Sequence, residues 1–328
     1  MKIWKIPGAS TYVYNELRKF KIEESGMYPI SPLTPTKFMS SARRARSPTL
    51  IMSILNTTPD SFSDGGSNAQ DLESLRATAA AHIAAGADII DVGGQSSRPN
   101  APDVSSEEEI ARVLPAIAAI KSLPESADIA ISVDTYRAAV AKVAVNAGAH
   151  IVNDISAGTL DPEMLSTVAR LGCTYVAMHM RGTPATMQNP ENCSYPDGIR
   201  VSVEKELQER VDAAIEAGIR RWRLILDPGI GFAKSQEQNL RLLRLFRLTK
   251  PGLKGLPLLF GSSRKGFIGK ITGVQEPQER GWGTAVTVTA AIRMGASIVR
   301  VHDVKEMAQV AKMADAIYRA DLDNWEDQ

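Results

Sequence analysis

From residue 49 onward this sequence repeats one unit: a short apolar run, then a longer segment with helical spacing. The runs fall near residues 50–55, 88–92, 129–133, 150–152, 173–178, 223–226, 257–260 and 297–301. Between them, residues 107–120 set Ile110, Val113, Leu114 and Ile117 on one helical face. The same spacing recurs at Val140, Val143 and Ala144, and at Leu207, Val211, Ala214 and Ile215. The last segment carries Met307, Val310, Ala311, Ala314, Ile317 and Tyr318. Gly86-Ala87-Asp88, Gly148-Ala149-His150 and Gly295-Ala296-Ser297 each stop a helix before a strand, since glycine supplies the left-handed residue that ends one. Alternating strands and helices imply a parallel sheet covered on its faces. Eight units in about 270 residues fit a closed (β/α)8 TIM barrel, whose usual size is roughly 250. An open doubly wound sheet is the competitor, but it calls for GxGxxG after the first strand, and IMSILNTTPDSFSDGG from Ile51 has none.

Composition bounds the partners. The 328 residues carry a formal charge of +1, which gives no electrostatic case for nucleic acid or an anionic membrane. A hydrophobic share of 44% supplies a sizeable core, yet no apolar run approaches the roughly 20 residues that span a bilayer. Cys173 and Cys193 lack CxxC spacing, so neither a zinc site nor a disulfide framework is indicated. Free thiols fit a reducing compartment, and a cytoplasmic location is expected. A mitochondrial location is the alternative, because residues 26–48 hold Lys37, Arg43, Arg44 and Arg46 without an acid. Glu16, Glu23 and Glu24 argue against a typical transit peptide. The expected division is an N-terminal extension or linker over 1–48, a barrel domain over 49–320, and a polar tail over 321–328.

Barrel active sites sit where the strands end. Here the runs end in Asn56; in Gly93 to Asn100 (GGQSSRPN); in Asp134-Thr135; in Asn153-Asp154; in Met178-His179-Met180-Arg181; in Asp227-Pro228-Gly229; in Ser262-Ser263-Arg264-Lys265; and in Arg300, His302 and Asp303. One aspartate there is more often a helix N-cap than a catalyst, and Asp134 or Asp303 could be that. Eight polar ends on one face exceed what capping requires. Arg98, Lys265, Arg300 and His302 offer cationic donors for an anion such as phosphate or pyrophosphate, or else form a salt-bridged rim. Asp134, Asn153 and Asp227 suit a heterocycle with several N–H groups, or a structural hydrogen-bond network. Met178 and Phe232 could sandwich a flat ring, or simply pack the core. No GxSxG is present, and His82 and His150 fall at structural positions.

With these residues assembled, the chain resembles the dihydropteroate synthase family over about residues 49–320. The resemblance rests on ILNTTPDSFSDGG from Ile54, DVGGQSSRPN from Asp91, SVDTYR from Ser132, NDIS from Asn153, MHMRGTPATMQ from Met178, DPGIGFAKSQEQNL from Asp227, SRKGFIG from Ser263 and VRVHDV from Val299. The SVDTYR, RPN and GFAK variants look most like the fungal branch, where other folate-pathway domains precede the synthase in one chain. The resemblance implies condensation of 6-hydroxymethyl-7,8-dihydropterin diphosphate with p-aminobenzoate, giving 7,8-dihydropteroate and pyrophosphate. It implies that Asp134, Asn153, Asp227 and Lys265 hold the pterin, and that Ser97, Arg300 and His302 hold the diphosphate. It further implies that Ser97, Pro99, Phe232 and Lys265 line an aminobenzoate pocket that sulfonamides occupy. Asn56 would bind Mg²⁺. Asp60, Asp64 and Arg98 would act from loops that close over the reaction, and Asp134 would stabilise positive charge on the pterin. A homodimer through the outer helices is also implied. Ser97, Arg181 and Ala233 stand where the family commonly has Thr, Gln and Gly. Two other readings stay open: a barrel that moves a methyl group from methyltetrahydrofolate to a corrinoid, and a non-catalytic pterin-binding scaffold.

Overall fold

The computed structural model describes residues 48–57, 69–95 and 104–319. Eight parallel strands form the sheet: β1 (Leu50–Asn56), β2 (Ile89–Gly93), β3 (Ala130–Asp134), β4 (Ile151–Asp154), β5 (Thr174–Met178), β6 (Leu224–Asp227), β7 (Leu259–Phe260) and β8 (Ile298–Val301). The helices between and after them are α1 (Ala69–Ala84), α2 (Ser106–Lys121), α3 (Ala138–Ala147), α4 (Met164–Leu171), α5 (Ile199–Glu216), α6 (Gln236–Leu245), α7 (Gly266–Thr272), α8 (Gly281–Arg293) and α9 (Val304–Tyr318). The strands run in the order β6-β5-β4-β3-β2-β1-β8-β7. The circle closes between β6 and β7 through a parallel bridge from Leu226 to Leu258, where Leu226 N donates to the Pro257 carbonyl at 2.9 Å. Proline has no N–H to give, which keeps this seam narrow and β7 short. The expected TIM barrel is therefore present, with two helices rather than one between β7 and β8.

Strand alternation sorts the side chains. Ile51, Ile90, Ile131, Val152, Tyr175, Leu226 and Val299 face outward into the layer shared with the helices. Met52, Ile89, Ala130, Ile151, Val176, Ile225, Leu259 and Ile298, one from each strand, fill the barrel floor. Two residues further along β2, β3, β4, β6 and β8, the same inward row turns polar: Asp91, Ser132, Asn153, Asp227 and Arg300. A dry floor thus lies directly beneath a charged chamber.

The helical stripes are mostly as expected, with two corrections. On α5 the buried face is Val203, Leu207, Val211 and Ala214, whereas Ile215 is exposed. On α9 Met307, Ala311 and Ala314 face the barrel, whereas Ile317 and Tyr318 face outward. Gly86, Gly148 and Gly295 all have positive φ, so the three helix stops fall where the sequence put them. His150 is structural: its Nδ1 accepts from Ile131 N at 3.0 Å.

Candidate active site

The strand register builds the site. Asn56 lies beside Gly93, Gly93 beside Asp134, and Asp134 beside Asn153, so four neighbouring strands present these groups as one row. Gly93 keeps the row open. A Cβ there would stand 3.6 Å from Asn56 Oδ1 and 3.7 Å from Asp134 Cβ, filling the cradle between them.

Asp134 is not a helix cap. α3 begins after Arg137, without a side-chain cap, and its first residue, Ala138, donates its N–H to Asp161 Oδ2 at 2.7 Å. Asp134 instead takes Arg300 Nη2 at 2.6 Å, while Arg300 Nε reaches Asp91 Oδ2 at 2.6 Å. Asp91 Oδ2 also accepts from Asn153 Nδ2 at 3.0 Å. One guanidinium therefore bridges two carboxylates, and one of these fixes the amide of Asn153. Burial pushes the Asp134 carboxyl up to about 7, opposed by Arg300 and reinforced by Asp91. Burial opposes the Arg300 charge, but Asp91 and Asp134 outweigh it and raise its pKa. Arg300 thus belongs to the deep chamber rather than to an exposed cationic rim.

Asp227 is buried and accepts from Gly229 N at 2.7 Å. Desolvation raises it to about 6, against the lowering by that hydrogen bond and by Lys265. Lys265 Nζ stands 4.0 Å above the Phe232 ring. Burial and then Arg300 bring the ammonium down to about 8. Met178 and Phe232 share one apolar cluster with Ile155, Met180, Met187 and Ala233. They form a wall beside the charged chamber, so the alternative of plain packing holds for part of their surface.

The sequence reading of His302 as a cation is corrected. Burial, then Arg300 and Arg264, push it down to about 3, so it is neutral near pH 7. Its Nδ1 lies 3.0 Å from Ser263 Oγ, which also accepts the His302 backbone N–H at 3.2 Å. Ser263 can then donate to Nδ1, which leaves Nε2 to carry the proton as a neutral donor. Asp303 does not cap α9 with its side chain; it pairs with Arg264. Asp154 turns away from the site. Its carboxylate takes Tyr175 Oη at 2.7 Å and the backbone N–H groups of Ser156 and Gly158, and so shapes the β4–α4 turn.

Asp60, Asp64, Ser97, Arg98 and Pro99 lie outside the described residues. Asn56 is exposed at the end of β1. Among the described residues no cluster of three His, Cys, Asp or Glu could hold a metal ion by itself, and no helix is long and apolar enough to cross a membrane. Sequence reasoning gave no role to Asp91, Lys234 or Glu206. Asp91 carried a signal, since an acid inside the apolar strand IIDVG sits two residues above the barrel floor.

The pterin binding enzyme family matches residues 52–302. A dihydropteroate synthase from Synechocystis is 50% identical over 273 residues, covering 83% of this chain and 91% of that protein. A mitochondrial folate synthesis bifunctional protein from Pisum sativum is 46% identical over 305 residues, covering 91% of this chain and 58% of its own length. The chain spans about half the length of several curated relatives it matches, a folic acid synthesis protein from the fungus Pneumocystis carinii among them. The crystal structure of a dihydropteroate synthase from Clostridium difficile, obtained in the presence of pteroic acid, superposes with a TM-score of 0.74 at 41% identity, over 83% of this chain and 98% of that one. By its strand-end residues, its barrel and these relatives, the chain belongs to the pterin binding enzymes and, among them, to the dihydropteroate synthases.

Proposed function

We propose that this barrel condenses 6-hydroxymethyl-7,8-dihydropterin diphosphate with p-aminobenzoate to give 7,8-dihydropteroate and pyrophosphate. The observation that carries this reading is the chamber itself. Asp134, Asn153 and Asp227 converge at its base, and the Lys265–Phe232 pair stands at its side. Buried carboxylates and an amide recognise the N–H groups of a pterin, because each buried donor needs a partner. As the C–O bond to diphosphate breaks, positive charge spreads into the pterin, and Asp134 stands in the row that faces it. Arg300 and the neutral His302 donate toward the departing diphosphate. An arylamine is already unprotonated at neutral pH, so attack needs no strong base. Asp60, Asp64 and Arg98 would close over the reaction and keep water out.

Mg²⁺ fits this donor set as a shared ligand only. It keeps several waters and takes one or two protein oxygens together with substrate phosphates. Asn56 Oδ1, beside the cradle at Gly93, is such an oxygen. When bound, the ion would neutralise charge on the leaving diphosphate. The reading also includes a homodimer, since Ile271 on α7 and Trp282 and Val286 on α8 are 50%, 89% and 70% exposed. It places the barrel in a multifunctional folate-pathway chain, in the cytoplasm or the mitochondrion.

The deciding assay mixes the protein with the pterin diphosphate, Mg²⁺ and labelled p-aminobenzoate. Dihydropteroate formation is expected, and none would overturn the reading. Asp134→Asn should lower the rate at least ~100-fold; a loss below tenfold would remove Asp134 from its role.

A further inference from the structure

Lys234 has no part in the reaction described above, yet it is only 3% exposed. Burial pushes its amine down to about 7, opposed by the Asp227 and Glu206 charges; a buried amine needs partners, and Lys234 has them on two segments. Its Nζ donates to the Phe232 carbonyl at 2.8 Å, to His179 Nδ1 at 3.0 Å and to the His179 carbonyl at 3.4 Å. His179, 2% exposed, reaches Glu206 Oε2 on α5 through Nε2 at 3.0 Å. Glu206 also takes Arg181 Nε at 3.0 Å.

The partners fix the protons. Burial pushes Glu206 up, but hydrogen bonds from His179 and Arg181 outweigh it and hold the carboxyl at about 2. Burial, then Lys234, push His179 down to about 4. An ionised Glu206 can only accept, so the single proton of neutral His179 sits on Nε2 and Nδ1 accepts from Lys234. A continuous line of hydrogen bonds therefore runs from Glu206 on α5, through His179 after β5, to the segment after β6.

That segment would not hold its shape alone. Ala233 has φ of 49°, a left-handed conformation that a residue with a Cβ seldom adopts. Gly229, at φ +69°, passes so close to the β5 end that a Cβ would stand 2.0 Å from the His179 carbonyl oxygen. Two carbonyls of the bend are held: Phe232 O by Lys234 of the bend itself, and Ala233 O from the β5 side by Tyr195 Oη at 2.9 Å. Tyr195 is in turn covered by the Arg181 guanidinium, 4.0 Å from its ring centre. The bend carries the Phe232 ring, and that ring carries Lys265.

We propose that Glu206, His179 and Lys234 form a buried relay that positions Phe232, and through it Lys265, for p-aminobenzoate. The proposal rests on the synthase reading. Lys234 touches no substrate in it and is a positioning residue. Asp134 and Asn153 are held separately, through Arg300 and Asp91. Asp227 feels the charge of Lys234 and Lys265 faces both substrates, so the relay acts most directly on the aminobenzoate, through Phe232, and secondarily on the pterin.

The test is Lys234→Met, with Glu206→Gln as the second variant. Methionine fills the space but leaves the Phe232 carbonyl and His179 Nδ1 without their donor, so some loss of stability is expected. Lys234→Met should raise KM for p-aminobenzoate about tenfold or more and KM for the pterin diphosphate by clearly less. Glu206→Gln, still able to accept from His179, should raise the same KM by less. An unchanged aminobenzoate KM in both variants, or an equal rise for both substrates, overturns the relay. Should Lys234→Met not fold, Glu206→Gln decides alone by the same measure. Amide hydrogen exchange over residues 229–235 reads the relay without turnover: faster exchange there in Lys234→Met supports it, and unchanged exchange overturns it. Absence of turnover by the unmodified protein would refute the synthase reading, and exchange would still judge the relay.

Discussion

Arg300→Met would open the charge balance at the centre of the chamber. The wild-type guanidinium donates to Asp91 and Asp134, each at 2.6 Å, and Asp91 is wholly buried. Methionine fills much of the space but removes the guanidinium that both carboxyl groups share. Removing one partner of a buried ion pair costs about 3–5 kcal/mol, a large part of the roughly 5–15 kcal/mol that holds a domain folded. For a chain of this size that is a fall of roughly 6–20 °C in melting temperature. The pH dependence makes the argument specific. Burial already raises Asp134 to about 7, and Arg300 is what pulls it back. Without Arg300 the folded-state value rises further above the unfolded value of about 4. A carboxyl raised on folding favours the folded state while it is protonated, and that contribution is lost as pH climbs through the folded pKa. The deficit of Arg300→Met relative to wild type should therefore be smallest near pH 5 and grow through pH 7 to 8. Urea unfolding of both proteins at pH 5, 6, 7 and 8 measures it. A deficit constant across that range, or one that widens toward acid, would refute the assignment of Arg300 as the counter-ion of Asp134.

The Lys265 ammonium is brought down to about 8 by burial and Arg300, so kcat/KM should fall as pH rises past 8. Lys265→Arg, which keeps its charge, should shift that limb upward by about one pH unit or more; a limb that stays in place belongs to another group. Gly148 ends α3 at φ +119°, where a residue with a Cβ costs about 1–2 kcal/mol. Gly148→Ala should lower the melting temperature by roughly 2–8 °C, and a change below about 1 °C would mean the helix end readjusts freely.

The barrel was legible because its rules are local. Strand-sized apolar runs, helical stripes and glycine stops each occupy a few consecutive residues, and all three stops adopt positive φ as expected. Ile215 and Ile317 were misplaced because both belong to apolar spacing patterns whose exposed edge depends on which neighbour covers the helix. The chemistry at Asp134, Asn153, Asp227 and Lys265 was visible because strand ends in a parallel barrel face one rim.

What the sequence by itself determined is therefore the period of the fold and the roster of groups at the strand ends, both written at spacings of two to four residues. Only the tertiary structure decided how those groups share their charges. Arg300 lies 209 residues from Asp91 and 166 from Asp134 along the chain, and nothing in local spacing says that one guanidinium serves both. The same holds for His302, whose charge is removed by burial and by cations from other strands. It holds again for Lys234, which looks like an ordinary loop lysine until folding seals it against His179. Desolvation and long-range pairing depend on what surrounds a residue in space, and that is settled when the eight strands close.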